Sequence, residues 1–262
     1  MKVSCLGPQG SYSELAAKKL CAGFEIVLCR GFKTAVDLLL RGDVDYAVLP
    51  IENTIQGGIA ESLDLIGTNE VFVVGETSLQ IDHRIATLSG VKYEDVEKIY
   101  SHEQALGQCS VYLRRHFPNA RLLFSDSTAD SLSRLDEKTA GIVGAHIRAE
   151  GVTLSEENVA DAKKNHTLFV LLERRGKLPQ SSNKVYFCAV TEGTTPVLAE
   201  FMKILSDNGL SLTRIDGRAA GKSSGEYRFF IECEGDVSAE KTKKALEEIE
   251  RLAKRYRLLG AF

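Results

Sequence analysis

The run Pro50-Ile51-Glu52-Asn53-Thr54 ends an apolar stretch in a carboxylate, an amide and a hydroxyl, and Gly57-Gly58 follow before a helical pattern resumes. In open α/β sheets, residues at the carboxyl ends of strands face the ligand crevice. Three other junctions in the same half of the chain have this character. Gly7-Pro8-Gln9-Gly10 leads into Ser11-Tyr12-Ser13-Glu14, with the Ser/Glu spacing of a capping box. Tyr100-Ser101 leads into His102-Glu103-Gln104, and Phe124-Ser125-Asp126 into Ser127-Thr128. Any one of these is explained by helix capping, because Ser, Thr and Asp are favoured N-caps. Together they describe a cleft lined by neutral donors and helix N-termini, whose free N–H groups and partial positive charge suit a small anion. A fifth segment, Asp161-Ala162-Lys163-Lys164-Asn165-His166-Thr167-Leu168-Phe169, carries an amide and a hydroxyl into the last strand of this half.

The elements that must position these groups alternate. Strand patterns at 3–6, 25–29, 46–50, 71–74, 98–100, 121–124, 141–144 and 167–172 are separated by helical spacing at 14–20, 34–40, 59–66, 104–116 and 129–135. Such alternation predicts an α/β domain with mainly parallel sheets. A polar stretch with Gly, Pro and two Ser at 176–183 reads as a linker. Beyond it, strand 184–190, helix 196–206, strands 211–216 and 227–232, helix 239–255 and strand 258–262 follow the βαββαβ order of a ferredoxin-like module. Pro196 suits the first turn of its first helix, with Thr195 as the N-cap.

The 262 residues carry a net charge of −3 without a Lys/Arg block, which argues against a nucleic-acid partner. No apolar run approaches the roughly 20 residues that span a bilayer, and the first residues read as a strand rather than a signal peptide. A cytoplasmic protein is expected. Cys5, Cys21, Cys29, Cys109, Cys188 and Cys233 form no C-x-x-C pair and fall in apolar segments, as buried free thiols would. The five histidines show no H-E-x-x-H spacing, so no metal site is expected.

Taken in order, Gly7-Pro8-x-Gly10-Ser11-Tyr12-Ser13, Pro50-Ile51-Glu52-Asn53-Thr54, Ser101-His102-x-Gln104-Ala105-Leu106-x-Gln108-Cys109, Ser127-Thr128-Ala129 and Asn165-x-Thr167-x-Phe169 resemble the motifs of the prephenate dehydratase family. The likeness runs through nearly the whole chain. It implies a two-lobed, periplasmic-binding-protein-like catalytic domain over 1–175, followed after the linker by an ACT regulatory domain over 184–262. It also implies decarboxylative dehydration of prephenate to phenylpyruvate, without metal or organic cofactor, in a homodimer or homotetramer. By the same resemblance Thr167 is catalytic. Ser11, Ser13, Glu52, Asn53, Thr54, His102, Gln104, Ser127, Thr128, Asn165 and Phe169 line the substrate pocket.

Two places depart from the family pattern. Leu168 stands where the resemblance implies an Arg that contacts a substrate carboxylate, a charge-assisted role closed to leucine. Arg84, Lys163, Lys164 and His166 are candidates to replace it, and Leu168→Arg is expected to raise turnover. In the ACT module, Pro196-Val197-Leu198 and Asp216-Gly217-Arg218 occupy the family's two phenylalanine-binding segments, and Ser211 the place of a usual Asn. Pro196 has no N–H to offer a ligand, so control by an L-phenylalanine effector is expected to be weak, absent or retuned. An altered family member, acting on arogenate or decarboxylating prephenate without aromatising it, and a non-catalytic small-acid sensor are the competing readings.

Overall fold

The computed structural model describes residues 1–125, 127–174, 176, 178–192, 195–220 and 225–262. Asp126 of the fourth junction and the capping side chain of Thr195 lie outside the described residues.

The first lobe is built from β1 (Lys2–Leu6), α1 (Tyr12–Leu20), β2 (Glu25–Cys29), α2 (Phe32–Arg41), β3 (Tyr46–Asn53), β4 (Gly57–Gly58), α3 (Ala60–Thr68) and β5 (Phe72–Gln80). Helix α2 buries Ala35, Val36 and Leu39 on one face, the i, i+1, i+4 pattern of a helix packed on a sheet. It ends at Gly42, whose φ of 81° is the left-handed cap that glycine adopts without penalty. Strand β3 is buried along nearly its whole length, as an apolar run in mid-sheet requires.

The second lobe holds β6 (His83–Leu88), β7 (Lys98–Ser101), α4 (Glu103–Gln108), α5 (Ser110–His116), β8 (Arg121–Phe124), β9 (Thr139–Gly144) and β10 (Val152–Leu154). These strands form a five-stranded sheet of order β10-β6-β9-β7-β8. The chain then returns to the first lobe through β11 (His166–Glu173), which lies between β3 and β5 and is antiparallel to both. The two crossings run side by side, joined by the Ile81 N–H donating to the Asn165 carbonyl at 2.7 Å.

The last module is β12 (Lys184–Glu192), α6 (Thr195–Asp207), β13 (Ser211–Ala219), β14 (Glu226–Glu234), α7 (Glu240–Leu252) and β15 (Arg255–Ala261). Its strands order β13-β14-β12-β15, and β15 joins β5 so that module and first lobe share a ten-stranded sheet. Tyr186, Cys188, Phe230 and Leu259 of the module bury into the same apolar cluster as Leu49, Ile51, Ile66 and Leu172 of the lobe. Arg218 reinforces the junction with two bonds of 3.1 Å to the Asp64 carboxylate, and the Arg257 guanidinium donates to the Ile66 and Asn69 carbonyls.

Four details differ from the sequence reading. The sheets are mixed rather than mainly parallel, because β11 re-enters antiparallel and the βαββαβ module pairs its own strands antiparallel. The helix expected over 104–116 is broken at Cys109, and the Asp161 carboxylate accepts from the Val111 N–H at 3.1 Å and the Ser110 hydroxyl at 3.1 Å at the new helix start. The helix expected over 129–135 is a 3-10 turn, Asp130–Arg134. There the Ser131 and Ser133 hydroxyls donate to the Thr128 and Asp130 carbonyls, a local bonding that competes with an α-helix. Strands β4, β6 and β10 were not expected: β4 is only the pair Gly57–Gly58, His83 and Arg84 open β6 on polar residues, and β10 has three residues.

Candidate active site

Between the lobes lies a cavity of about 300 Å³. Ser11 and Ser13 reach it from the start of α1, His102 and Gln104 from the start of α4, Ser127 and Thr128 from the loop after β8, Asn53 from the end of β3, and Asn165, Thr167 and Phe169 from the returning crossing and β11. Ten of the twelve residues inferred from the sequence for catalysis and substrate binding are thereby brought together. Glu52 and Thr54 are not: strand alternation turns Glu52 from the side that carries Asn53, and Thr54 exchanges bonds with the backbone of Lys164 and His166. The cavity is also lined by Tyr12, Gln56, His83 and Gln108. Gln108 sits inside a quoted motif, but His83 lies on a strand that carried no clear alternation.

Charge at this site comes from dipoles. The cavity lining contains no Lys or Arg among the described residues. Arg84 is turned away to the carbonyls of Ser155 and Glu156, and Lys163 holds the Asn158 carbonyl at 2.7 Å. Ser11 caps α1 by accepting from the Glu14 N–H at 3.2 Å, while the Glu14 carboxylate accepts from Gly10 one residue earlier than in a regular capping box. Burial pushes the Glu14 pKa up, but the Lys18 ammonium and the Gly10 N–H outweigh it and hold the carboxyl below its usual range.

A chain of amides crosses the cavity floor. Asn53 Oδ1 accepts from the backbone N–H groups of Ile55 and Gln56 at 3.0 and 3.2 Å, which fixes its Nδ2 as the donor end. That nitrogen donates to Asn165 Oδ1 at 2.7 Å and to Thr167 Oγ1 at 2.9 Å. Asn165 Nδ2 in turn donates to Gln108 Oε1 at 3.2 Å, and the same oxygen lies 2.9 Å from His83 Nε2. Because Thr167 Oγ1 accepts, its own hydrogen is left for another partner, and none is made among the described residues. The site thus presents a hydroxyl donor at the cavity wall.

Position 168 faces elsewhere. Thr167 and Phe169 line the cavity, and Leu168 between them packs against the apolar cluster shared by the first lobe and the last module. This corrects the expectation for Leu168→Arg: an arginine there starts from the opposite face of β11 and cannot simply reach the cavity. The variant is expected to leave turnover unchanged or lower it, and to lose about 1–3 kcal/mol by placing a charge against apolar packing. A steady-state assay with a urea titration measures both.

The lobes are joined by contacts beside the cavity. The Tyr12 hydroxyl donates to the Asp82 carbonyl at 2.6 Å, His146 Nε2 lies 2.9 Å from the Gly10 carbonyl, and Gln104 donates to Gln56. Burial lowers the pKa of both His83 and His146, outweighing their bonds to Gln108 and Gly10. Their folded-state values lie below the ordinary 6.5, so the unfolded chain binds protons first as pH falls. Their contribution is complete above about 6.5 and is lost as pH drops through the depressed values. The urea midpoint is expected to fall between about pH 7 and pH 5, less steeply in His146→Gln.

A prephenate dehydratase family model matches residues 3–177, which covers both lobes and the whole cavity. The chain belongs to the prephenate dehydratase family. Among its curated relatives, the prephenate dehydratase of Amycolatopsis methanolica is 30% identical over 100% of this chain and 88% of its own. The bifunctional chorismate mutase/prephenate dehydratase of Buchnera aphidicola (Schizaphis graminum) is 29% identical over 99% of this chain and 70% of its own. Among solved structures, the Arthrobacter aurescens prephenate dehydratase in complex with L-Phe superposes with a TM-score of 0.89 at 28% identity, covering 100% of this chain and 90% of that one. The family's two-lobed, periplasmic-binding-protein-like architecture followed by a ferredoxin-like module is the fold described above.

Proposed function

We propose that this chain is a carbon–oxygen lyase that converts prephenate to phenylpyruvate in L-phenylalanine biosynthesis. The ring carboxylate leaves as carbon dioxide, its bonding electrons enter the ring, and the ring hydroxyl departs as water once it receives a proton. Aromatisation drives the step. Thr167 is assigned the hydrogen bond, or proton, to the departing hydroxyl, and the observation that carries this reading is its Oγ1 occupied by Asn53 with the hydrogen directed elsewhere. A threonine hydroxyl is a weak acid, so its effect rests on positioning in a partly water-excluded cavity. The Ser13, Ser127 and Thr128 hydroxyls are assigned to the substrate carboxylates, whereas Ser11, whose hydroxyl donates to the Leu6 carbonyl at 2.9 Å, serves to cap α1.

Incubating the purified protein with prephenate and identifying the product tests this directly. Phenylpyruvate is expected, whereas a non-aromatic product, or no turnover by folded protein, would overturn it. Arogenate is the second reading, favoured by the lack of Lys and Arg in the described cavity lining, since its ammonium offsets one negative charge. Parallel assays, with phenylalanine as the arogenate product, rank the two substrates.

We also propose that residues 184–262 form a regulatory ACT domain in which phenylalanine control is weakened. Pro196 is exposed at the start of α6, Val197 and Leu198 pack against the module's own core, and Ser211 is exposed at the start of β13. Arg218 is engaged by Asp64, a β-carbon at Gly58 would run into the Asp216 carboxylate, and one at Gly217 would lie 3.1 Å from the Phe229 ring. Asp216 and Arg218 thus serve the junction with the catalytic lobe. Calorimetric titration with L-phenylalanine is expected to give no saturable binding below millimolar concentration; micromolar binding would refute the assignment. The outer edge of β13 ends the ten-stranded sheet and is free among the described strands, which supports a homodimer or homotetramer pairing through this module.

A further inference from the structure

We propose that His83 is a positioning residue for the proposed dehydration, holding Gln108 so that the amide chain ending at Thr167 keeps one polarity. His83 opens β6, immediately beyond the crossing between the lobes, and is 3% exposed while its ring borders the cavity. Its Nε2 lies 2.9 Å from Gln108 Oε1, which also accepts from Asn165 Nδ2 at 3.2 Å. A carboxamide oxygen only accepts, so the ring proton resides on Nε2. The other ring nitrogen, Nδ1, is buried without a partner among the described residues, so nothing there competes for the proton.

The direction of every bond in the chain then follows from its two ends. At one end the Ile55 and Gln56 N–H groups orient Asn53. At the other, Asn165 supplies one donor to Gln108 Oε1, and His83 supplies the shorter, second bond that holds the amide against rotation. With Oε1 doubly occupied, the Gln108 –NH₂ makes no hydrogen bond among the described residues, and Gln108 borders both the cavity and a neighbouring pocket that shares Gln56, His102, Gln104 and Asn165 with it. Were the proton on Nδ1, two lone pairs would face each other at Nε2 and Oε1. Gln108 would turn over, and its –NH₂ would meet the –NH₂ of Asn165. The repulsion would pass along the chain to the bond that Asn53 makes with Thr167. His83 touches no reacting atom in this scheme and acts through Gln108.

Because this role rests on the proposed reaction, its test has one arm that does not use activity. Long-range ¹H–¹⁵N correlation spectra of the intact protein at neutral pH are expected to show the Nε2–H tautomer for His83; Nδ1–H, or an imidazolium, overturns the proposal. In the kinetic arm, His83→Leu is expected to lower kcat about tenfold with KM little changed. His83→Gln, whose amide nitrogen falls near the original Nε2, is expected to restore kcat to within about threefold of the parent. In a Gln108→Met background the His83→Leu change should cost nothing further. Equal activity of the Leu and Gln variants, or additive losses with Gln108→Met, would refute the positioning role. Failure of the enzymatic reading itself would show separately, as absence of turnover by the unsubstituted protein, with the tautomer still deciding whether His83 orients Gln108.

Discussion

Thr167→Ala is expected to abolish measurable phenylpyruvate formation, with kcat falling by about 10²–10³ while the protein stays folded. The size of the effect follows from where the hydroxyl sits. Its lone pair is taken by Asn53 at 2.9 Å, so the group is fixed before substrate arrives and costs no reorganisation in the transition state. Removing it leaves a developing hydroxide to depart without a donor. The fold is supported by other means: the Thr167 backbone pairs with Asn53 on one side and Leu79 on the other, and neither pairing uses the side chain. Asn53 loses one acceptor, a cost of about 1 kcal/mol, which a thermal melt would register as a small shift. Thr167→Ser keeps the hydroxyl and should retain most activity, and Thr167→Val keeps the shape and should not. Full activity in a folded Ala variant would remove Thr167 from the mechanism.

Much of this arrangement is legible in the chain, because the residues that make the cleft are also the ones that end strands and start helices. Ser11, Asn53 and Ser127 announce themselves by local capping chemistry, and the same atoms border the cavity. The βαββαβ order of the last module is readable for a similar reason, since its helices and strands differ sharply in period. What local pattern cannot supply is the face on which a side chain lies. Glu52 and Leu168 pair across β3 and β11; Glu52 was assigned to the substrate, and position 168 to a substrate-contacting Arg that leucine replaces, each through its neighbours in the motif. Strand alternation instead turns Leu168 toward the apolar cluster. His83 shows the converse. Nothing in its local sequence suggests a site, and its contact with Gln108 spans 25 positions and depends on how β6 meets α4. Interactions made across a lobe are set by packing, which a single strand's pattern does not encode.

The second large effect is expected where no chemistry occurs. Gly260→Ala should destabilise the protein by about 3 kcal/mol or more, and should uncouple the last module from the first lobe. Strand β15 meets β5 at the single parallel pairing of Gly260 with Val73, and this is the place where one sheet becomes continuous with the other. A β-carbon at 260 would overlap the Val73 carbonyl oxygen and lie 3.0 Å from both its carbonyl carbon and its β-carbon. All but the last are backbone atoms of a central strand, which have no rotamer by which to yield, so the strands must part. Parting them would expose apolar surface around Leu259, which is 0% exposed, and the cluster it shares with Val73 and Tyr186. The consequence is specific: equilibrium unfolding in urea should change from one transition to two, with a smaller slope for the first, because the module would then open ahead of the lobes. A single transition at the parent midpoint would mean that the pairing at Gly260 is not what joins the two sheets. Activity offers a second measurement on the same variant. The cavity lies between the lobes and takes no lining residue from the module among the described residues, so a variant that remains folded in its lobes should retain turnover even as its module loosens.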